Sequence, residues 1–224
     1  ASMSLSGRAK TNGIQKVSST PLREVVYEQI KNLILLNKIY PGQIIVIDHL
    51  AAEMGLSQTP VREALVKLEL DGLVTTNQYR NPRVVDIQSK DVEELYDMRL
   101  LVEPWRLQYS FNNFIPSEVK EIENELNKAY EEASKENFLP HVESDIHLHK
   151  LILSSTGNAF FWQLASRVSD HSMRIRTLFE ATGTKQEIMC IVEEHLLIIK
   201  AIKNIDFPSA AEALNQHLQN GKIR

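Results

Sequence analysis

The sequence predicts a mainly α-helical protein in two parts: a small helical unit closed by a two-stranded wing, then an antiparallel bundle of six helices. Three observations predict it. Apolar residues recur at i, i+3/i+4 and i+7 through most of the chain from Pro21 onward. The one β-type interruption is a pair of short runs, Leu73–Thr76 and Arg83–Val85, parted by a turn around Asn81-Pro82. After Asp86 every segment reads helical, broken at Ile115-Pro116, Leu139-Pro140, Gly157, Thr182-Gly183 and Phe207-Pro208.

Residues 1–19 are rich in Ser, Lys, Gly and Asn without periodicity and are expected to form a disordered arm. Val25, Val26, Ile30, Leu33 and Ile34 then mark a helix that Asn37 and Pro41-Gly42 close. A short helix follows with Leu50, Ala51 and Met54 inward. Ser57 or Thr59 is placed to cap a third, whose inner face is Val61, Ala64, Leu65 and Leu68, with Pro60 tolerated in its first turn and Gly72 stopping it. Three helices followed by a hairpin describe a winged helix-turn-helix over residues 20–87. The bundle, residues 90–224, is expected to hold helices near 90–113, 116–136, 140–155, 158–181, 186–204 and 208–220, joined by short turns.

Composition excludes several classes. In 224 residues, 43% are apolar and Gly and Pro number only eight each, so the chain has material for a sizeable core and is not low-complexity. One cysteine, Cys190, rules out a disulfide framework and a Cys-based zinc finger, and fits a reducing, cytoplasmic setting. No apolar run approaches the ~20 residues that span a bilayer, so no membrane partner is expected. The net charge of −4 conceals a split: residues 1–83 carry 10 Lys and Arg against 7 Asp and Glu, residues 84–224 carry 15 against 22. A basic front on an acidic back suggests two units with different partners.

At the start of the third helix stand Ser57, Gln58, Thr59 and Arg62, short or forked donors suited to base edges and phosphates in a major groove. Arg62 lies opposite Ala64, Leu65 and Leu68, hence exposed. The run Leu56-Ser57-Gln58-Thr59-Pro60-Val61-Arg62-Glu63-Ala64-Leu65, with Ile30, Pro41-Gly42, Leu50-Ala51 and Gly72-Leu73-Val74, closely resembles the N-terminal domain of GntR-family bacterial transcription regulators. The resemblance implies double-stranded operator DNA as partner, with Arg62 on guanine, Arg80 in the wing and Arg23 near phosphate. Two positions depart from the pattern. Gln58 stands where the family more often has Arg, and Gln prefers adenine edges. The wing tip reads Arg80-Asn81-Pro82 where Arg-Gly-Ala is usual.

Four of the polar residues in the back half face inward on helices otherwise lined by apolar side chains. Asp145 and His149 are four apart, about 40° from one another on a helix. His195 shares a stripe with Ile188, Ile191, Val192, Ile199 and Ile202, and His217 with Ala210, Ala213 and Leu214. A buried imidazole needs a partner. Three histidines and a carboxylate converging point economically to a metal ion. His147 falls on the opposite, solvated side, and His141, after a Pro at a helix start, reads as a surface cap.

Here the chain resembles the FCD effector domain of the FadR subfamily, through Asp145-x-x-Leu148-His149, Gly157-Asn158, Glu194-His195 and His217-Leu218. Six helices match the VanR-like branch. The resemblance implies one divalent metal ion per chain on Asp145, His149, His195 and His217, zinc foremost, with nickel, manganese or cobalt as alternatives. It also implies that Arg99, in Tyr96-x-x-Arg99-x-x-x-Glu103, faces an effector pocket, with Asn158, Arg174 and His171 as further contacts. A cation beside such a metal suits a small carboxylate, such as a hydroxy acid or sugar acid. Trp105, Trp162, Phe160 and Phe161 are expected in core and dimer-interface packing. The expected function is a metabolite-responsive repressor, not an enzyme, acting as a homodimer on an inverted repeat. The alternative, a metal-dependent hydrolase, lacks His-Glu-x-x-His, His-x-x-Glu-His and Gly-x-Ser-x-Gly.

Overall fold

The computed structural model describes residues 21–76, 81–153, 158–180 and 183–224. The expected arm at 1–19, the wing-tip Arg80, and the breaks at Gly157 and Thr182 lie outside these.

The front unit orders α1 (Leu22–Leu35), α2 (Ile47–Glu53), α3 (Gln58–Leu70), β1 (Val74–Thr75) and β2 (Arg83–Val84). Its core collects the inward faces read from the sequence, with Ile30, Ile34, Val61, Leu65, Leu68, Leu73 and Val84 fully buried. α3 ends because Gly72 takes φ +75°, which lets Leu73 N–H return to Leu68 O (2.9 Å) and Gly72 N–H to Glu69 O (3.0 Å). This Schellman closure swings the chain into β1. The strands pair antiparallel, Val74 opposite Val84 and Thr75 opposite Arg83, and Ile44 bridges to Arg83.

A Gln88–Asp91 capping box opens α4 (Ser89–Ser110). A 3₁₀ turn at Phe111–Asn113 follows, then α5 (Pro116–Ala133), α6 (Leu139–Leu153), α7 (Ala159–Glu180), α8 (Lys185–Lys203) and α9 (Phe207–Ile223). Pro116 and Pro208 sit in first turns, where a missing N–H costs nothing. α5 packs on α6 and α8, α9 on α8 and α4, and α7 on α6 and α4. Leu107, Leu126, Leu148, Ile152, Val192, Ile199, Leu214 and Leu218 fill the space between them. No helix among the described residues is long and apolar enough to cross a membrane.

The two units touch along α7. Lys31 pairs with Asp170 at 2.6 Å, Thr177 Oγ1 donates to Leu35 O at 3.3 Å, and Asn37 Nδ2 donates to Arg174 O at 3.1 Å. α7 is therefore covered on two sides. The core part of the expectation for the aromatic residues of α4 and α7 needs correcting. Trp105 and Trp162 are each nearly half exposed and Phe160 is 87% exposed, so these rings lie at the surface and not in the core. On α4, Leu101, Trp105 and Tyr109 recur every four residues and form an exposed strip.

Candidate metal centre and nucleic-acid interface

Asp145 and His149 come from successive turns of α6, His195 from the middle of α8 and His217 from α9. Each helix carries its residue inward because the flanking a/d-type positions, such as Leu148, Ile199 and Leu214, are core residues. All four side chains are buried, and one ligand atom from each lies within 4.8 Å of the others. His195 Nε2 stands 3.1 Å from Asp145 Oδ1 and 3.3 Å from His217 Nε2, and His149 Nε2 is 3.6 Å from Asp145 Oδ1.

Two glutamates orient two of the rings. Glu103 Oε2 lies 2.6 Å from His149 Nδ1, and Glu194 Oε2 lies 2.9 Å from His217 Nδ1. Each imidazole thereby keeps its Nδ1 proton on a carboxylate and turns its Nε2 lone pair to the centre. Glu194 is itself held by Asn220 Nδ2 (2.7 Å) and Arg224. Glu103 is gripped by Arg99 Nε at 2.6 Å.

The electrostatics follow from burial. Desolvation lowers His217 well below the ordinary imidazole range, with His195 beside it adding to the effect. Burial also brings His149 down to about 4, against the opposing pull of Glu103. For Asp145 burial pushes upward, but the Arg176 guanidinium and the neighbouring imidazoles outweigh it and hold the carboxyl well below its usual value. Burial likewise pushes Glu194 up, and its bonds to His217, Arg224 and Asn220 overcome this and set it at about 2. Asp145 is thus a carboxylate beside neutral His149 and His217, the protonation state in which these groups ligate.

The donor set fits a divalent ion. Ligands about 2.0–2.2 Å from a common centre lie roughly 3–4 Å apart, so the contacts at 3.1–3.6 Å already match coordination edges and the 4.8 Å spread closes with small side-chain shifts. Two Nε2 atoms at 3.3 Å would otherwise set lone pair against lone pair or require a shared proton. His195 Nδ1 is buried without a hydrogen-bond partner.

A cavity of about 240 Å³ opens beside the cluster, onto Asp145 and His217. The guanidinium nearest the cluster among those lining it is not the one the sequence suggested. Arg99 is 1% exposed and spent on Glu103, with Nη2 3.1 Å from both ring nitrogens of His149, and does not line the cavity. Its own i+4 glutamate satisfies it. Arg176 fills the expected place, ion-paired through Nε to Asp145 Oδ2. Arg174 and His171 also depart from expectation. They point to the front unit, where Arg174 Nη2 donates to Val85 O at 2.7 Å and His171 Nε2 lies 3.2 Å from Asp71 O. Asn158 accepts Phe161 N–H at the exposed start of α7, away from the cavity. His141 is no surface cap: it is 5% exposed, lines the cavity and stacks 6.1 Å from His195.

Arg176, His141 and the partner roles of Glu103 and Glu194 were thus missed. Both glutamates carried a signal, since Glu194 adjoins His195 in sequence and Glu103 lies four residues after Arg99. His141 had one too: it lies four residues before Asp145, on the same helix face.

In the front unit, Ser57 is the N-cap residue of α3, but its side chain makes no cap hydrogen bond. Ser57, Gln58, Thr59 and Arg62 are exposed together, and Arg62 Nη2 donates to Gln58 Oε1 at 2.9 Å. Arg23 is exposed at the start of α1, loosely paired with Glu24 at 3.9 Å. Lys67 is engaged within the unit, on Glu24 at 2.5 Å and over the Tyr27 ring at 3.8 Å.

A family model for the FCD domain matches residues 94–220, and one for bacterial regulatory proteins of the gntR family matches residues 22–84. The chain belongs to the GntR family and carries an FCD domain. This GntR-family protein is similar over 202 residues, at 26% identity, to the uncharacterized HTH-type transcriptional regulator YdhC of Bacillus subtilis (89% of this chain, 87% of that protein). It is 24% identical over 215 residues to the gluconate operon transcriptional repressor of the same organism (91% and 84%). Escherichia coli McbR/YncC shares the fold with a TM-score of 0.75 at 17% identity, over 90% of this chain and 95% of that one. The metal-free FCD domain of TM0439 aligns at 26% identity and a TM-score of 0.51, over 61% of this chain and 92% of that domain. These relatives make the GntR-family chain a DNA-binding transcriptional regulator and not a hydrolase.

Proposed function

We propose that this regulator is a repressor that binds an inverted-repeat operator as a homodimer and responds to a small carboxylate held in the FCD cavity beside a divalent ion. Asp145 Oδ1 and the Nε2 atoms of His149, His195 and His217 would hold the ion, with zinc the first choice. When bound, such an ion supplies a Lewis-acidic anchor for a carboxylate oxygen. The other contacts belong to the chain. Arg176 Nη2 is buried without a hydrogen-bond partner and its residue lines the cavity, so it offers a charge-assisted donor to that carboxylate. Glu103 and Glu194 keep two imidazoles in the ligating tautomer.

The observation that carries the reading is the position of the cavity. Its wall includes Ile87, in the segment that joins β2 to α4, so a ligand there touches the connection to the DNA-binding unit. Ser57, Gln58, Thr59 and Arg62 are the proposed readers of base edges, with Arg80 as the wing contact and Arg23 near phosphate. One winged unit reads a half-site, and two-fold symmetry doubles it. The exposed strip Leu101, Trp105 and Tyr109 supports a second copy as the partner of α4.

The test is to select a binding site from a random DNA pool with the wild-type chain, then titrate Arg62→Ala against it. A loss of roughly 1–3 kcal/mol, with unchanged metal content, is expected. Equal affinity would remove Arg62 from the reading face.

A further inference from the structure

The cavity beside the cluster is polar at the cluster and apolar elsewhere. Its polar groups are Asp145, His217, His141 and Arg176, together with the Arg224 guanidinium that Glu194 holds and the Tyr96 ring packed against Gly221. The remaining wall is hydrocarbon: Ile87, Val92, Ile175, Leu178, Phe179 and Ile191, drawn from the inter-unit segment, α4, α7 and α8. The backbone groups of Val92, Ile175 and Ile191 are engaged in their own helices, and at the end of α7 the Phe179 carbonyl accepts Gly183 N–H.

We infer, building on the carboxylate pocket proposed above, that the effector is a carboxylate with a compact apolar body, an aromatic ring or branched hydrocarbon, and not a polyhydroxylated sugar acid. Two residues that line the cavity each carry a buried nitrogen without a hydrogen-bond partner, Arg176 Nη2 and His141 Nδ1. They suffice for the oxygens of one carboxylate. The hydroxyls of a sugar acid would meet the isoleucine, valine and phenylalanine wall and lose their water without replacement, the costliest way to bury a polar group. An apolar body gains from the same wall. The volume of about 240 Å³ is just below the ~300–1,000 Å³ of drug-sized sites, which suits one ring or a short branched chain. Bound in this way, the body rests on Ile87 and Val92, on either side of the start of α4.

The experiment is calorimetric titration of the as-purified 224-residue chain with benzoate, 3-methylbutanoate and gluconate, repeated on Val92→Thr, Ile191→Thr and Arg176→Gln. Val92→Thr keeps the shape and adds a hydroxyl to the wall, so it serves if Ile191→Thr fails to fold. At least one apolar carboxylate is expected to bind about tenfold or more tighter than gluconate. The threonine variants should narrow that gap, and Arg176→Gln should weaken every carboxylate. Gluconate binding as tightly as both apolar acids, with Arg176→Gln weakening all three, overturns the apolar-body inference and leaves the carboxylate pocket standing. If none of the three binds, or if Arg176→Gln changes nothing, the pocket reading fails and the inference falls with it.

Discussion

Arg174 and Arg176, two positions apart on α7, serve different halves of the molecule. Arg174 donates to the Val85 carbonyl at the end of β2, while Arg176 sits on Asp145 in the histidine cluster. One rigid helix thus carries a side chain from the candidate sensing site and another bonded to the wing. A ligand that repositions Arg176 acts on the same turn of helix that holds Val85. Coupling of this kind requires an element with two arrangements that both sites bias.

Removing the wing contact while leaving the cavity intact should therefore separate sensing from DNA binding. Arg174→Met is expected to keep carboxylate-induced thermal stabilisation and to lose at least half of the carboxylate-induced change in DNA affinity. DNA titrations with and without the apolar carboxylate check this. An unchanged response would assign the coupling to another contact.

The cluster should be structural as well as sensory, because it ties α6, α8 and α9 through groups that are costly to bury unpaired. Elemental analysis of as-purified protein is expected to find about one divalent ion per chain. His195→Ala should lower both occupancy and melting temperature. Glu194→Gln, which loosens His217 without removing a ligand, should weaken metal affinity roughly 10- to 100-fold. Metal-free protein with an unaltered melting curve would contradict this.

Acid should destabilise the chelator-treated protein in a defined window. Burial depresses His141 and His149 to about 4, against 6.5 for an ordinary imidazole. The unfolded chain therefore binds more protons than the native one between these values, and stability rises with pH across that range. It is fully present above about 6.5 and lost as pH falls toward 4. Urea midpoints measured from pH 7.5 to 4 should drop across the window. A flat profile would mean that the two rings take up protons in the native protein as readily as in the unfolded chain.

The strip on α4 gives a prediction about assembly. Trp105 is nearly half exposed, its ring tilted against Tyr109 at 4.8 Å and Phe161 at 5.2 Å. Trp105→Glu is expected to shift the protein from dimer to monomer in sedimentation velocity. It should also weaken binding to the inverted repeat about a hundredfold or more, because the two half-sites no longer act together. A wild-type monomer at micromolar concentration, or a variant that remains dimeric, would move the interface elsewhere.

Much of this was legible in the chain alone. Helix periodicity, proline at first turns and the Gly72 stop are local properties, so the six bundle helices and the wing strands emerge within a few residues of their expected limits. Asp145, His149, His195 and His217 were legible for the same reason: each repeats with the apolar stripe of its own helix, and a stripe tells which side faces the core.

Which side chains meet across helices is not a local property. α7 shows why. Its sequence stripe runs through Leu164, Val168, His171, Ile175 and Leu178, yet Leu164 is 45% exposed while Ala165, Ser172 and Arg174 are buried. The helix lies between the bundle and the winged unit, so two faces are covered and a single stripe cannot describe it. For that reason Arg174 and His171 pass to the inter-unit contact and Arg176 to the cluster. Arg99 shows the complementary case. Its pairing with Glu103 was visible at i, i+4, but what stands in front of that pair is set by α6, which brings His149 against it. Spacing along a helix tells which way a side chain points, whereas the partner that neutralises it there depends on how the helices pack.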